Sequence, residues 1–92
     1  MADPTYIEGT TVYLWTEVYD RSGQLSDADD VTCDVLDPSG SVRHLEVAHD
    51  STGRYSAEVI GDMEGRWHFK WTSISPSAVD EGPFRITRSA FP

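Results

Sequence analysis

An all-β fold, a single sandwich of short antiparallel strands, is what this sequence predicts, on three observations. The chain repeats one kind of punctuation: Asp20-Arg21-Ser22-Gly23, Asp37-Pro38-Ser39-Gly40 and Asp50-Ser51-Thr52-Gly53. Asp at the head of such a tetrapeptide accepts local backbone N–H groups, and Gly at its end suits the exit from a type I turn. Between the turns, apolar and polar residues alternate with the period of a strand. No stretch carries a helical period of any length.

Each element follows in order. Residues 4–8 read as a short first strand, closed by a turn at Glu8-Gly9. Residues 11–19 form a strong strand, with Val12, Leu14, Thr16 and Val18 on one face and Tyr13, Trp15, Glu17 and Tyr19 on the other. Residues 24–30 form a polar loop. Residues 31–36 alternate again, with Val31, Cys33 and Val35 inward, and the Asp37–Gly40 turn predicts an antiparallel partner at about 41–48. Tyr55, Ala57 and Val59 share a face in a strand over 54–60. Gly61 and Gly65 bracket a turn, after which Trp67, Phe69 and Trp71 make the most apolar face of the chain. A polar loop from Ser73 to Asp80 is expected to cross over to a last strand at 82–88, where Phe84 and Ile86 point inward and Pro83 sits where a missing N–H is tolerated. About seven strands without a helix have the size and rhythm of an immunoglobulin-like sandwich.

The 92 residues fit one domain, with its core over about 5–88 and short flexible termini. A chain this small buries only about 60–65% of its unfolded surface, so three Trp, four Tyr and three Phe must fill the core efficiently. The net charge of −9, with scattered basic residues, argues against nucleic acid and anionic membrane as partners. The lone Cys33 excludes an internal disulfide and reads as a small buried hydrophobe. Met1-Ala2-Asp3-Pro4 has neither a basic nor an apolar leader region, so synthesis in the cytosol without an export signal in this chain is expected.

Catalytic chemistry finds no foothold in the residues. Asp27, Asp29 and Asp30, with Asp20 nearby, invite a calcium site, but the Gly and closing Glu of an EF-hand loop are missing, so solvated loop carboxylates are expected. His44 and His68 alternate outward and His49 sits at a turn, without the spacing of a zinc site. No Ser lies in a nucleophile elbow. No catalytic, cofactor-binding or metal-binding residue is assigned. The candidate binding residues are Tyr13, Trp15 and Tyr19, an outward aromatic row of the kind recognition surfaces use, with Phe91 in the tail as a second anchor. Their partner is either a protein subunit or a sugar stacking on Trp15, which would make the domain a carbohydrate-binding or adhesive module.

Several segments in order also resemble a known group. They are Glu8-Gly9-Thr10-Thr11-Val12-Tyr13-Leu14, Asp37-Pro38-Ser39-Gly40, Thr52-Gly53-Arg54-Tyr55, Gly65-Arg66-Trp67 through Trp71, and Glu81-Gly82-Pro83-Phe84-Arg85-Ile86. In this order they are similar to small immunoglobulin-like structural proteins of tailed bacteriophages, over about Tyr6 to Arg88. The resemblance implies a virion location and a non-enzymatic role as a capsid decoration, head–tail connector or tail accessory subunit. It implies other virion proteins as partners, possible homo-oligomers on the particle, and no catalytic residues or cofactors.

Overall fold

In the computed structural model, which describes residues 3–91, the alternating runs become eight strands with no helix among them. They are β1 (Thr5–Ile7), β2 (Thr11–Glu17), β3 (Asp30–Leu36), β4 (Val42–Leu45), β5 (Ala48–Ser51), β6 (Arg54–Ile60), β7 (Gly65–Ile74) and β8 (Ala78–Thr87). One sheet has the order β1-β8-β7-β3-β4 and the other β2-β6-β5. Their inner faces meet in one apolar core containing the residues that alternation placed inward: Val12, Leu14 and Val18 of the first long run, Cys33 and Val35, then Tyr55, Ala57 and Val59, Trp67 and Trp71, Phe84 and Ile86. Phe69 is only partly buried, at the margin of this core.

Trp67 sits at the centre, with 0% of its surface exposed. Its ring stacks on Phe84, its cross-strand partner, at 5.6 Å, and Tyr6 meets Phe84 edge-on at 6.3 Å. Its indole N–H donates to the Met63 carbonyl at 2.9 Å, and the Arg43 guanidinium lies 4.7 Å above its ring. Burial also pushes the Cys33 thiol up to about 12, with Asp34 adding to the effect, so the side chain packs as a hydrophobe.

Four expectations need correction. The run at 41–48 is two strands: β4 pairs with β3 in the larger sheet, and after Glu46 and Val47 the chain enters β5 of the smaller sheet. The segment from Ser73 to Asp80 does not cross over. It is the tip of a β7–β8 hairpin, in which Ser73 pairs with Ala78 and the buried Ser73 hydroxyl donates to the Pro76 carbonyl across a cis Ser75–Pro76 bond. The strands are not all antiparallel, because β1 runs parallel to β8 with Tyr6 opposite Ile86. The third Asp–Gly tetrapeptide is unlike the other two: Asp20 and Asp37 each accept the N–H of the closing Gly on their carbonyl, whereas Asp50 lies within β5 and Gly53 donates to Asp27.

Asp37 shows how such a turn is held. Its carboxylate is buried and accepts the Ser39 hydroxyl, the N–H groups of Ser39 and Ser41, and Arg43 Nε at 3.0 Å. Arg43 in turn reaches Asp62 beyond β6, so one guanidinium ties the β3–β4 turn to the smaller sheet's exit. These bonds, the Ser39 hydroxyl foremost, hold the Asp37 carboxyl below its ordinary value. Asp20 is lowered in the same sense by Ser22 and Gln24 of its own turn, and Asp27 by the Gly53 N–H. A depressed carboxyl contributes stability that is complete above its unfolded pKa, about 4, and is lost as pH falls through the folded value. Urea midpoints should therefore be flat from neutral pH to about 5 and drop below about 4, and Asp37→Asn should shrink that drop. An identical acid limb in the variant would mean that the Asp37 bonds are not what acid breaks.

Candidate functional site

β2 is built mostly from β-branched and aromatic residues, Thr11, Val12, Tyr13, Trp15 and Thr16, without Gly or Pro, which suits a pleated edge. Pairing with β6 sets Tyr13 opposite Glu58, Trp15 opposite Ser56 and Glu17 opposite Arg54. Ser56 and its own neighbour Ala48 on β5 are small, and the Trp15 ring stays 63% exposed. Tyr13 and Tyr19 are about half exposed. The outward orientation expected for all three rings is what the fold produces.

Tyr19 lies just past β2, where it forms an isolated bridge with Leu25. Its hydroxyl donates to Glu17 Oε1 at 2.7 Å, while Arg54 Nε donates to Glu17 Oε2 at 3.0 Å. The Tyr19 bond, and after it Arg54, hold the Glu17 carboxyl below its ordinary value, and the same bond raises the Tyr19 phenol. Glu17 thus fixes the ring of Tyr19 relative to Trp15.

Tyr13, Trp15 and Tyr19 converge on one open groove of about 560 Å³. Its far wall comes from the β7–β8 hairpin: Phe69, Trp71, Val79 and Asp80. The buried indole N–H of Trp71 has no acceptor among the described residues. Phe69 owes its position to Gly82, its cross-strand partner, where a Cβ would come within 3.0 Å of the ring. The far wall escapes a reading of the sequence because Ala78–Asp80 looks like loop. The alternation of Val79 with Ala78 and Asp80 was the available signal. Phe91 is 86% exposed beyond the end of β8 and does not line this groove.

The acidic loop has another role. Asp27 Oδ1 accepts the Gly53 N–H at 2.7 Å and lies 2.9 Å from His49 Nε2, so it ties the loop to the β5–β6 turn. His49 belongs to β5, not to a turn, and stacks on Tyr55. His44 faces Asp34 and His68 faces Glu81, each on separate strand pairs. Among the described residues no three His, Cys, Asp or Glu side chains gather to hold a metal ion.

No protein-family model and no curated protein matches the sequence. Solved structures do match its fold. The filamin domain of Lin-41 superposes with a TM-score of 0.75 at 19% identity, over 97% of this chain and 88% of that one. A DUF4785 family protein from Legionella pneumophila gives 0.68 at 14% identity, and a glycoside-hydrolase candidate from Bacteroides vulgatus gives 0.66 at 13%. This chain spans only 26% and 17% of those two proteins. The domain has an immunoglobulin-like β-sandwich fold.

Proposed function

We propose that the domain is a non-enzymatic structural subunit of a tailed-bacteriophage particle that binds a capsid, connector or tail protein through the aromatic face of β2. The observation that carries the binding face is the convergence of Tyr13, Trp15 and Tyr19 on one groove at a sheet edge. Large exposed aromatics gathered on a small domain are characteristic of recognition surfaces. The phage assignment is supported by the ordered likeness of the segments from Glu8-Gly9 to Phe84-Arg85-Ile86.

Sedimentation of the purified protein with undecorated phage particles tests the reading. Saturable co-sedimentation of a monomer is the expected result, and a self-assembled ring without particles would instead indicate a connector or tail component. Trp15→Ala should leave the unfolding free energy from urea titration within about 0.5 kcal/mol of wild type while weakening particle binding by about 2 kcal/mol, roughly thirtyfold. Severe unfolding of that variant would put Trp15 in a structural role and sink the assignment.

A second reading rests on Trp15 standing open near Glu17 and Asp80, a stacking face with hydrogen-bond acceptors that suits a sugar. Glycan-dependent shifts in Trp15 fluorescence, with no particle binding, would favour it.

A further inference from the structure

Four strands lie at sheet edges, and three of them are blunted. β1, β4 and β5 have three or four residues, and β5 also carries a register shift between His49 and Ser51. Short length and irregularity are how edges avoid pairing with another chain. β2 has neither protection: it runs for seven residues in unbroken register with β6, without Pro or Lys. The phase of its ladder follows from the bonds at its two ends. Gly61 N–H donates to the Thr10 carbonyl and Val18 N–H to the Gly53 carbonyl, so alternate residues from Thr10 to Val18 turn their backbone groups toward β6. Thr11, Tyr13, Trp15 and Glu17 therefore turn theirs outward, and no backbone bond outside the β2–β6 ladder involves Thr11–Glu17 among the described residues. Tyr13 and Trp15 offer an exposed ring and an open backbone pair together.

We propose that β2 receives an extended, basic segment of the partner protein as an added strand, an inference that rests on the protein-binding reading of this face. The charge of the surroundings selects the segment. Glu46 and Glu58 flank Tyr13, and neither makes an ion pair among the described residues. Opposite Glu17, Arg54 is already engaged by that carboxylate. Lys or Arg at every second position of an incoming strand would meet these carboxylates and lie over the Tyr13 and Trp15 rings. The intervening side chains, turned the other way by the strand period, would enter the groove over Phe69 and Val79, where apolar side chains fit best. A second copy of this chain is a poor occupant, since it brings the same carboxylates face to face and carries its own charge of −9.

The test is amide hydrogen exchange by NMR with a capped alternating Lys–Val octapeptide as the probe and its Glu–Val counterpart as control. At saturation the Tyr13, Trp15 and Glu17 amides should slow at least about tenfold, while those of Val12, Leu14 and Thr16 hardly change. The Glu–Val peptide should bind at least about tenfold more weakly, and Glu58→Lys should weaken Lys–Val binding several-fold without altering exchange in the free protein. Protection at β4 or β5 instead, equal binding of the two peptides, no binding at about 1 mM, or protection that grows with protein concentration alone would each overturn the proposal. Shifts of the Trp15 ring without amide protection would overturn strand addition and leave the protein-binding face standing. Failure of that face would show separately, as particle binding unaffected by Trp15→Ala.

Discussion

Trp67→Ala should lower the folding free energy by about 3–5 kcal/mol, a large part of what a domain of this size has to lose. The indole is fully buried between the two sheets, and truncation opens a cavity that the surrounding strands cannot close. The loss goes beyond volume. Phe84 loses its stacked partner, the Met63 carbonyl loses its donor, and Arg43 loses the ring beneath its guanidinium while still held by Asp37 and Asp62. Urea unfolding at neutral pH measures the effect, with Trp15→Ala, at an exposed ring, as the comparison. A loss below about 1 kcal/mol would show that the core is not organised around this ring.

Gly53→Ala should cost about 2–4 kcal/mol, although only a methyl is added. Gly53 has φ of +69°, a region that costs an L-residue about 1–2 kcal/mol. A Cβ there would also lie 2.8 Å from both the Ser26 nitrogen and the Val18 oxygen. These are backbone atoms bonded to each other, so neither can swing aside as a side chain would. Moving them also disturbs the Gly53 N–H bond to Asp27 and the Val18 N–H bond to the Gly53 carbonyl. Gly40→Ala separates the two causes, because Gly40 has φ of +89° with open space where its Cβ would sit. It should show the conformational cost alone. Equal losses at the two positions would remove the close approach at Gly53 from the account.

Where the fold was legible, periodicity made it so. Val12, Leu14 and Val18 against Tyr13, Trp15 and Tyr19 needed no knowledge of neighbouring strands, since a strand with one wet face assigns each residue by parity. The same parity concealed the break between β4 and β5. Leu45 and Val47 both pack on the core, so alternation runs unbroken through a segment that changes sheets. The β7–β8 hairpin was hidden for a different reason: Ser73 looks like loop, yet it is buried with its hydroxyl satisfied by the Pro76 carbonyl. That bond exists only once the hairpin has formed. The groove was half legible for the same reason, its Tyr13–Tyr19 wall local and its Phe69–Asp80 wall dependent on pairing across the core.

The parallel pairing of β1 with β8 also has a mechanical consequence. β1 begins near the chain's start and β8 ends near its finish, yet both point the same way, with Thr5 beside Arg85 and Ile7 beside Thr87. Tension applied across the two ends therefore pulls these strands past each other along their length. The Arg85 N–H bond to the Pro4 carbonyl and the Glu8 N–H bond to the Thr87 carbonyl are loaded together, in shear, and Tyr6 cannot slide without leaving its edge contact with Phe84. An antiparallel pair of terminal strands would instead peel open one bond at a time. Stretched between two attachment points, this domain resists as a clamp.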